Sequence, residues 1–384
     1  MASTDWCELP TELLNLISQR IDDELDLIHF RSVCSKWRRS SISNHHPNST
    51  LKVPLLRLSY NLSNTINNTN TSPFCCLFKR TLFLIKPLWH RKPLRPWLIR
   101  VTQNSHSKTK LFHLLFNSVY SSHGFPRVLD FNKLSVLNLG TDFIVDYGDN
   151  NRRNYFFYNK KREKFLAITC NGENPMVLGI SEYFPHPMLF CYLNKFWKPI
   201  SDMSTKYVDI CVFKRRFYLV DNTGRTVTID SDSSVQLVDN PFIPGDRKLL
   251  VESEGELLLV NIYENLKTFD VFRLEEKNKK WVKLMSLGDR VLFFVNGCSF
   301  SASTSDLCVA KGNCVVFIDD AYRICTYFSN YCLGRSQRLS VSEYLSLFSA
   351  PEWIVKINWI HNGVCYFELK GFLCACDICI ILLS

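Results

Sequence analysis

Between Leu27 and Leu129 the chain has no aspartate and no glutamate, although sixteen lysines and arginines lie in that stretch. The formal net charge of +10 is therefore regional, because the rest of the chain holds 30 basic against 36 acidic residues. Such a stretch suits an acidic protein surface or a nucleic acid, or is simply a solvated face. No run of eighteen apolar residues occurs, which argues against a spanning helix and a membrane role. No basic segment followed by an apolar one opens the chain, so no secretory leader is expected. The sixteen cysteines then read as reduced thiols of the cytoplasm or nucleus. Glycine is scarce, at fourteen residues, few for a nucleotide-cradling enzyme. A Gly-x-Ser-x-Gly elbow, a phosphate-binding loop and a His-Glu-x-x-His pair are all missing. The nine histidines are scattered. No catalytic motif and no cofactor site is therefore recognised.

What is present begins at the N-terminus. Leu13, Leu14, Ile17 and Ile21 recur at helical spacing, which predicts one apolar helix face. Pro10 suits the first turn of that helix, where its missing N–H is not needed. Asp22, Asp23 and Glu24 make a polar break. A second set, Phe30, Val33, Cys34 and Trp37, again fits 3.6 residues per turn, and Cys34 there reads as packing rather than as a nucleophile. Two or three short helices in about forty residues cannot bury a good core alone. They must pack on the rest of the chain or on a partner.

The ordered set Leu9-Pro10, Leu13, Leu14, Ile17, Ile21, then Val33-Cys34-Ser35-Lys36-Trp37-Arg38 resembles the F-box. The resemblance implies a helix-in-groove contact with a Skp1-type adaptor, and through it with a cullin. The residues it assigns to that contact are Leu9, Pro10, Leu13, Leu14, Ile17, Ile21, Phe30, Val33, Cys34 and Trp37.

After a Ser-, Asn-, Thr- and Pro-rich segment at 43–78, read as a linker with a short strand at Leu55–Tyr60, the pattern becomes strand-like. Trp97–Val101 and Phe143–Tyr147 are apolar runs. Phe217–Val220 and Thr226–Asp230 flank Asp221-Asn222-Thr223-Gly224, a hairpin with glycine at a turn position. Leu257–Asn261 leads to Thr268–Leu274, a turn, and Trp281–Leu284. Cys314–Asp320 leads to Arg323–Phe328. An apolar strand ending in Asp or Asn, then a turn and another strand, recurs at about 40 to 60 residues, the range of propeller blades. A β-sandwich shows similar runs, and no standard Kelch or WD signature is present.

Pro96–Val101, the 217–230 hairpin, Trp281 through Phe293, Cys298–Ser301 and Gly312–Asp320 resemble the C-terminal domain of a large plant F-box family. Its members are Kelch-like β-propeller proteins. The fold expected is α+β and multidomain: a helical F-box at 1–42, a linker at 43–78, an all-β, propeller-like substrate-recognition domain at 79–350, and a tail at 351–384. The function implied is a non-catalytic substrate receptor of an SCF-type ubiquitin ligase, binding an unidentified target protein. The alternatives are a stand-alone β-propeller binding module whose helices brace the propeller and a propeller enzyme, such as a hydrolase acting on glycans.

Cys374, Cys376 and Cys379, with Cys365 and His361, have the wrong spacing for a paired Cys-x-x-Cys zinc finger and lie in strand-like sequence, so no metal is expected. Lys79, Arg80, Lys86, Arg91, Lys92 and Arg95, flanked by Trp89 and Trp97, invite a single-strand-binding reading. Pro87, Pro93 and Pro96 break any continuous helix there, and no specific nucleic-acid partner is expected.

Overall fold

The computed structural model describes residues 6–21, 24–41, 50–54, 74–88, 94–103, 109–112, 114, 134–146, 164–168, 175–180, 186–191, 196–200, 207–230, 232–266, 268–295, 297–318, 324–329 and 341–353. The chain forms two compact units. One comprises Met1–Thr50, Phe78–Leu139 and Ser346–Ser384, and the other Leu51–Leu77 and Gly140–Leu345.

The first unit opens with a 3-10 turn, Trp6–Glu8, and the helices α1 (Thr11–Gln19), α2 (Glu24–Ser32) and α3 (Ser35–Ser40). Pro10 is the N-cap of α1 rather than part of its first turn, with an extended ψ of 141°. The predicted helical set Phe30, Val33, Cys34 and Trp37 is divided between two helices. Cys34 is the extended N-cap of α3, at φ −161° and ψ 174°, so it does not lie on a helix face.

The stretch expected as a linker contains β1 (Thr50–Pro54) and the start of β2 (Phe74–Pro87). The strand expected at Leu55–Tyr60 lies outside the described residues. β3 (Trp97–Gln103) pairs antiparallel with β2 and with β4 (Thr109–Phe112), in the registers Leu84↔Leu98 and Val101↔Leu111. Phe83, Ile85, Trp97, Ile99, Val101, Leu111 and Leu134, the last at the start of β5 (Leu134–Asp146), form the core of this unit with Trp353. Trp353 Nε1 donates to the Arg95 carbonyl at 2.8 Å, and the Arg95 guanidinium donates back to the Ser349 and Ala350 carbonyls. The predicted tail boundary at 351 thus cuts through a core contact. Residues 354–384, with the cysteine cluster, lie outside the described residues.

The second unit carries three four-stranded antiparallel meanders. They are β6 (Lys164–Ile168), β7 (Met176–Ile180), β8 (Met188–Cys191) and β9 (Phe196–Pro199); β10 (Tyr207–Phe213), β11 (Arg216–Asp221), β12 (Thr226–Ile229) and β13 (Val235–Asp239); and β14 (Arg247–Ser253), β15 (Glu256–Tyr263), β16 (Thr268–Glu275) and β17 (Lys280–Leu284). β18 (Arg290–Val295), β19 (Cys298–Ser303), the short α4 (Thr304–Leu307), β20 (Cys314–Ile318), β21 (Ile324–Ser329) and α5 (Val341–Phe348) follow, and β21 pairs in parallel with β16.

Successive residues of a strand point to opposite faces. Phe217 and Leu219 therefore pack toward β6–β8, while Tyr218 and Val220 pack toward β14–β16. With both faces covered, β11 and β15 carry the apolar runs Phe217–Val220 and Leu257–Val260. The outermost strands β9 and β13 are mostly exposed and lack that signature.

Carboxylates join neighbouring meanders. Asp239 of β13 accepts from Trp281 N of β17 at 2.8 Å, and Trp281 Nε1 donates to Thr226 Oγ1 at 3.0 Å. Asp209 of β10 takes one oxygen to Lys164 Nζ of β6 at 2.8 Å and the other to Leu250 N of β14 at 2.7 Å. In the predicted hairpin, Asp221 Oδ1 accepts from the backbone N–H of Thr223, Gly224 and Arg225, and Gly224 has a φ of +102°.

The second Asp/Asn of the expected repeat behaves differently. Asn261 lies inside β15, fully buried, and its Nδ2 donates to the Pro244 carbonyl at 2.7 Å. A Cβ on Gly245, which sits at φ +145°, would overlap the Asn261 side chain. Gly245→Ala is expected to cost about 1–3 kcal/mol through backbone strain and overpacking. A thermal melt reads this, and a variant melting with the wild type would show that the loop yields freely.

Candidate functional site

The N-terminal helices carry the candidate site. α1 has two apolar stripes. Leu14 is 0% exposed and lies with buried Ser18 on the inner stripe, about 100° around the helix from Leu13. The outer stripe presents Leu13, Leu16 and Ile17, which are 44%, 53% and 37% exposed. Trp6, at 63%, and Val33, at 39%, are exposed as well.

The predicted contact residues therefore fall into two groups. Pro10, Leu13, Ile17 and Val33 are exposed, and Leu9 is half-buried beside them. Leu14 and Phe30 are buried, and Ile21, Cys34 and Trp37 are half-buried. Leu14, assigned to the same contact, does not share the exposed face of Leu13 and Ile17, because residues adjacent in a helix diverge by about 100°. The reading of the residues missed Leu16 and Trp6. The spacing Leu9, Leu13, Leu16 and Ile17 was the signal for the first of them.

Packing between the helices explains the division. The Phe30 and Trp37 rings lie 4.6 Å apart, centroid to centroid. Trp37 Nε1 donates to the Trp6 carbonyl at 3.1 Å, and Arg38 Nε donates to the Arg31 carbonyl at 3.2 Å. Burial, and then the Arg38 charge, lower the Arg31 guanidinium from its ordinary value. The seam between α2 and α3 is thus cationic, and the nearest following acid in sequence is Asp130. An apolar stripe on α1 together with basic side chains on α3 suits a partner with an apolar groove and an acidic patch opposite α3.

Of the residues that invite a single-strand-binding reading, Lys79, Lys86 and Arg95 are half-buried. Trp97 is in the core, and Arg80 and Arg100 are fully buried. Trp89, Arg91 and Lys92 lie outside the described residues. No helix among the described residues is long and apolar enough to cross a membrane.

In the β domain, the inward-facing charges serve structure. Burial is the largest influence on the Lys164 ammonium and lowers it, but the Asp209 carboxylate together with Cys211 and Cys298 turns the net shift upward. Burial pushes the nearby Cys211 thiol up to about 12, which leaves it protonated and unreactive at neutral pH.

Residues 90–331 match the family described as KIB1-4 beta-propeller. The chain belongs to this family. Its β domain is accordingly an all-β propeller. F-box protein SKIP23 of Arabidopsis thaliana is 33% identical, over 82% of this chain and 84% of the relative. F-box protein At2g17036 of the same plant is 30% identical, over 82% and 83%. F-box/kelch-repeat protein At1g64840, again from Arabidopsis thaliana, is 25% identical over 82% and 85%. These names agree with the resemblance, read from the residues, to plant F-box proteins with a propeller domain. No enzymatic family is indicated for this KIB1-4 propeller chain.

Proposed function

We propose that this KIB1-4 propeller protein is the substrate-recognition subunit of an SCF-type (Skp1–cullin–F-box) E3 ubiquitin ligase. Its N-terminal helices dock on a Skp1-type adaptor and through it on a cullin. Its propeller binds a target protein, in the nucleus or cytoplasm, for ubiquitination. The chain does no covalent chemistry. It raises the effective concentration of target lysines at the ubiquitin-charged enzyme and orients them.

The observation that carries this reading is the outer stripe of α1. Leu13, Leu16 and Ile17 stand exposed on one face of α1, and Val33 and Trp6 are exposed as well. Adjacent large apolar residues in water mark an interaction surface. Helices that merely braced the propeller would turn that stripe inward. The names of the F-box relatives support the same reading.

The test is capture of a purified Skp1-type adaptor by the full chain and by a Leu9→Ala/Pro10→Ala variant. Capture is expected to fall by about tenfold or more, with the melting temperature of the propeller unchanged. Undiminished capture by the double variant would remove the site assignment. A wild-type chain that captures no adaptor would remove the receptor reading itself.

A further inference from the structure

The Leu-Pro to Val-Cys-x-x-Trp-Arg pattern leaves out the most exposed large apolar residue of the described helical region. Trp6 stands 63% exposed on the 3-10 turn just before Leu9-Pro10. Its backbone is held at a joint. The Trp6 carbonyl accepts from Leu9 N at 3.5 Å and from Trp37 Nε1 at 3.1 Å. Trp37 in turn lies against buried Phe30, with ring centroids 4.6 Å apart. A continuous path therefore runs from the interior of the helices, through Trp37, to the backbone of Trp6 and Leu9.

Trp37 is half-buried and spends its N–H inside the chain. Trp6 is fixed at its backbone and projects its ring into solvent. A large aromatic residue whose backbone is already held before binding is the kind that dominates an interface.

We infer that Trp6 contacts the adaptor directly and that Trp37 is the positioning residue that holds Trp6 and Leu9 in place; this rests on the receptor reading above. The occupant is an adaptor with an apolar groove and an acidic rim. The groove meets Trp6, Leu13, Leu16 and Ile17. The rim meets Lys36, Arg38 and Arg39 of α3, which lie in the stretch without any acid. A continuous polyanion fits less well, because the exposed stripe is aliphatic and Glu8 and Glu12 are exposed on the same elements.

The experiment uses the full chain with a purified Skp1-type adaptor, measured by calorimetry. Trp6→Ala is expected to weaken binding by about 10–30-fold without lowering the melting temperature. Trp37→Phe keeps a ring against Phe30 but removes the N–H, and a loss of roughly threefold to tenfold is expected. In the Trp6→Ala background the Trp37→Phe change should cost less than it does alone, because part of its effect passes through Trp6.

A second measurement does not depend on variant stability. The chain has eight tryptophans, so 5-fluorotryptophan labelling gives eight fluorine resonances, and Trp6→Phe assigns one of them to Trp6. That resonance is expected to shift on adding adaptor.

An unmoved Trp6 resonance, or Trp6→Ala binding within twofold of wild type, would overturn the inference. If the Leu9→Ala/Pro10→Ala variant still loses binding in that case, the receptor reading stands and only the role of Trp6 falls. A wild-type chain that self-associates in light scattering, with Trp6→Ala monomeric, would assign the face to a second copy and overturn the adaptor as occupant.

Discussion

Asp209→Ala is expected to destabilise the propeller by about 3–5 kcal/mol, because it leaves the Lys164 ammonium buried without its counter-charge. Both side chains are largely buried, and the carboxylate joins three successive meanders through Lys164 of β6 and the Leu250 N–H of β14. The alanine variant loses both bonds. It also strands a backbone donor as well as a charge, which is why the effect should exceed that of an exposed ion pair such as Lys214–Glu276. Converting both partners, Lys164→Met with Asp209→Leu, should recover much of the loss, since the cost of a broken pair is mostly that of the charge left behind.

The pH dependence follows from the raised value of Lys164, which lies above its ordinary 10.5. A group raised in the folded state contributes fully below its unfolded value and loses its contribution as pH rises through the folded one. The wild type should therefore exceed the variant in stability throughout neutral pH, with the gap narrowing only in strongly alkaline solution. Guanidinium unfolding at pH 7 and near pH 11 measures this. Equal midpoints at pH 7 would show that the pair is not part of the stabilising structure.

Trp353→Ala is expected to cost the first unit about 3–5 kcal/mol, the usual price of emptying a core site of this size. The ring is buried among Phe83, Ile85, Trp97, Ile99 and Val101, and its N–H is bonded to the Arg95 carbonyl. Trp353→Phe keeps most of the packing and gives up the hydrogen bond, so about 1 kcal/mol is expected from the bond alone, plus a smaller packing loss. Hydrogen exchange of the β2 and β3 amides reports on this unit. Faster exchange there in the alanine variant, and little change in β14–β16, is the expected pattern. Protection equal to wild type in β2 and β3 would mean that Trp353 adds nothing to the core and that the chain beyond 350 is a true tail.

How much was legible depended on burial. β11, β12, β15 and β20 could be read directly, because strands buried along nearly their whole length are mostly apolar or β-branched. The 221–224 turn was legible because Gly224 needs a positive φ and Asp221 bonds to the three residues after Asn222. β10 and β14 are just as central, yet they were not singled out. Each carries a buried charge, Asp209 and Lys248, that interrupts the apolar run. β9 and β13 were missed for the opposite reason, since their mostly exposed faces are free to be polar.

At the candidate site the division is sharper. Sequence alone determined that the first forty residues hold an F-box-like order of residues, because Leu9-Pro10 and Val33-Cys34-x-x-Trp37-Arg38 are local features readable in one dimension. Which of those side chains turn outward was decided by tertiary packing. Leu13 and Leu14 are neighbours with equal hydrophobicity, and only the packing of the three helices sends Leu14 inside and leaves Leu13 in water. Trp37 and Trp6 are thirty-one residues apart, and only the fold brings the indole N–H of one to the carbonyl of the other. Hydrophobicity is a property of a residue, whereas exposure is a property of everything packed around it.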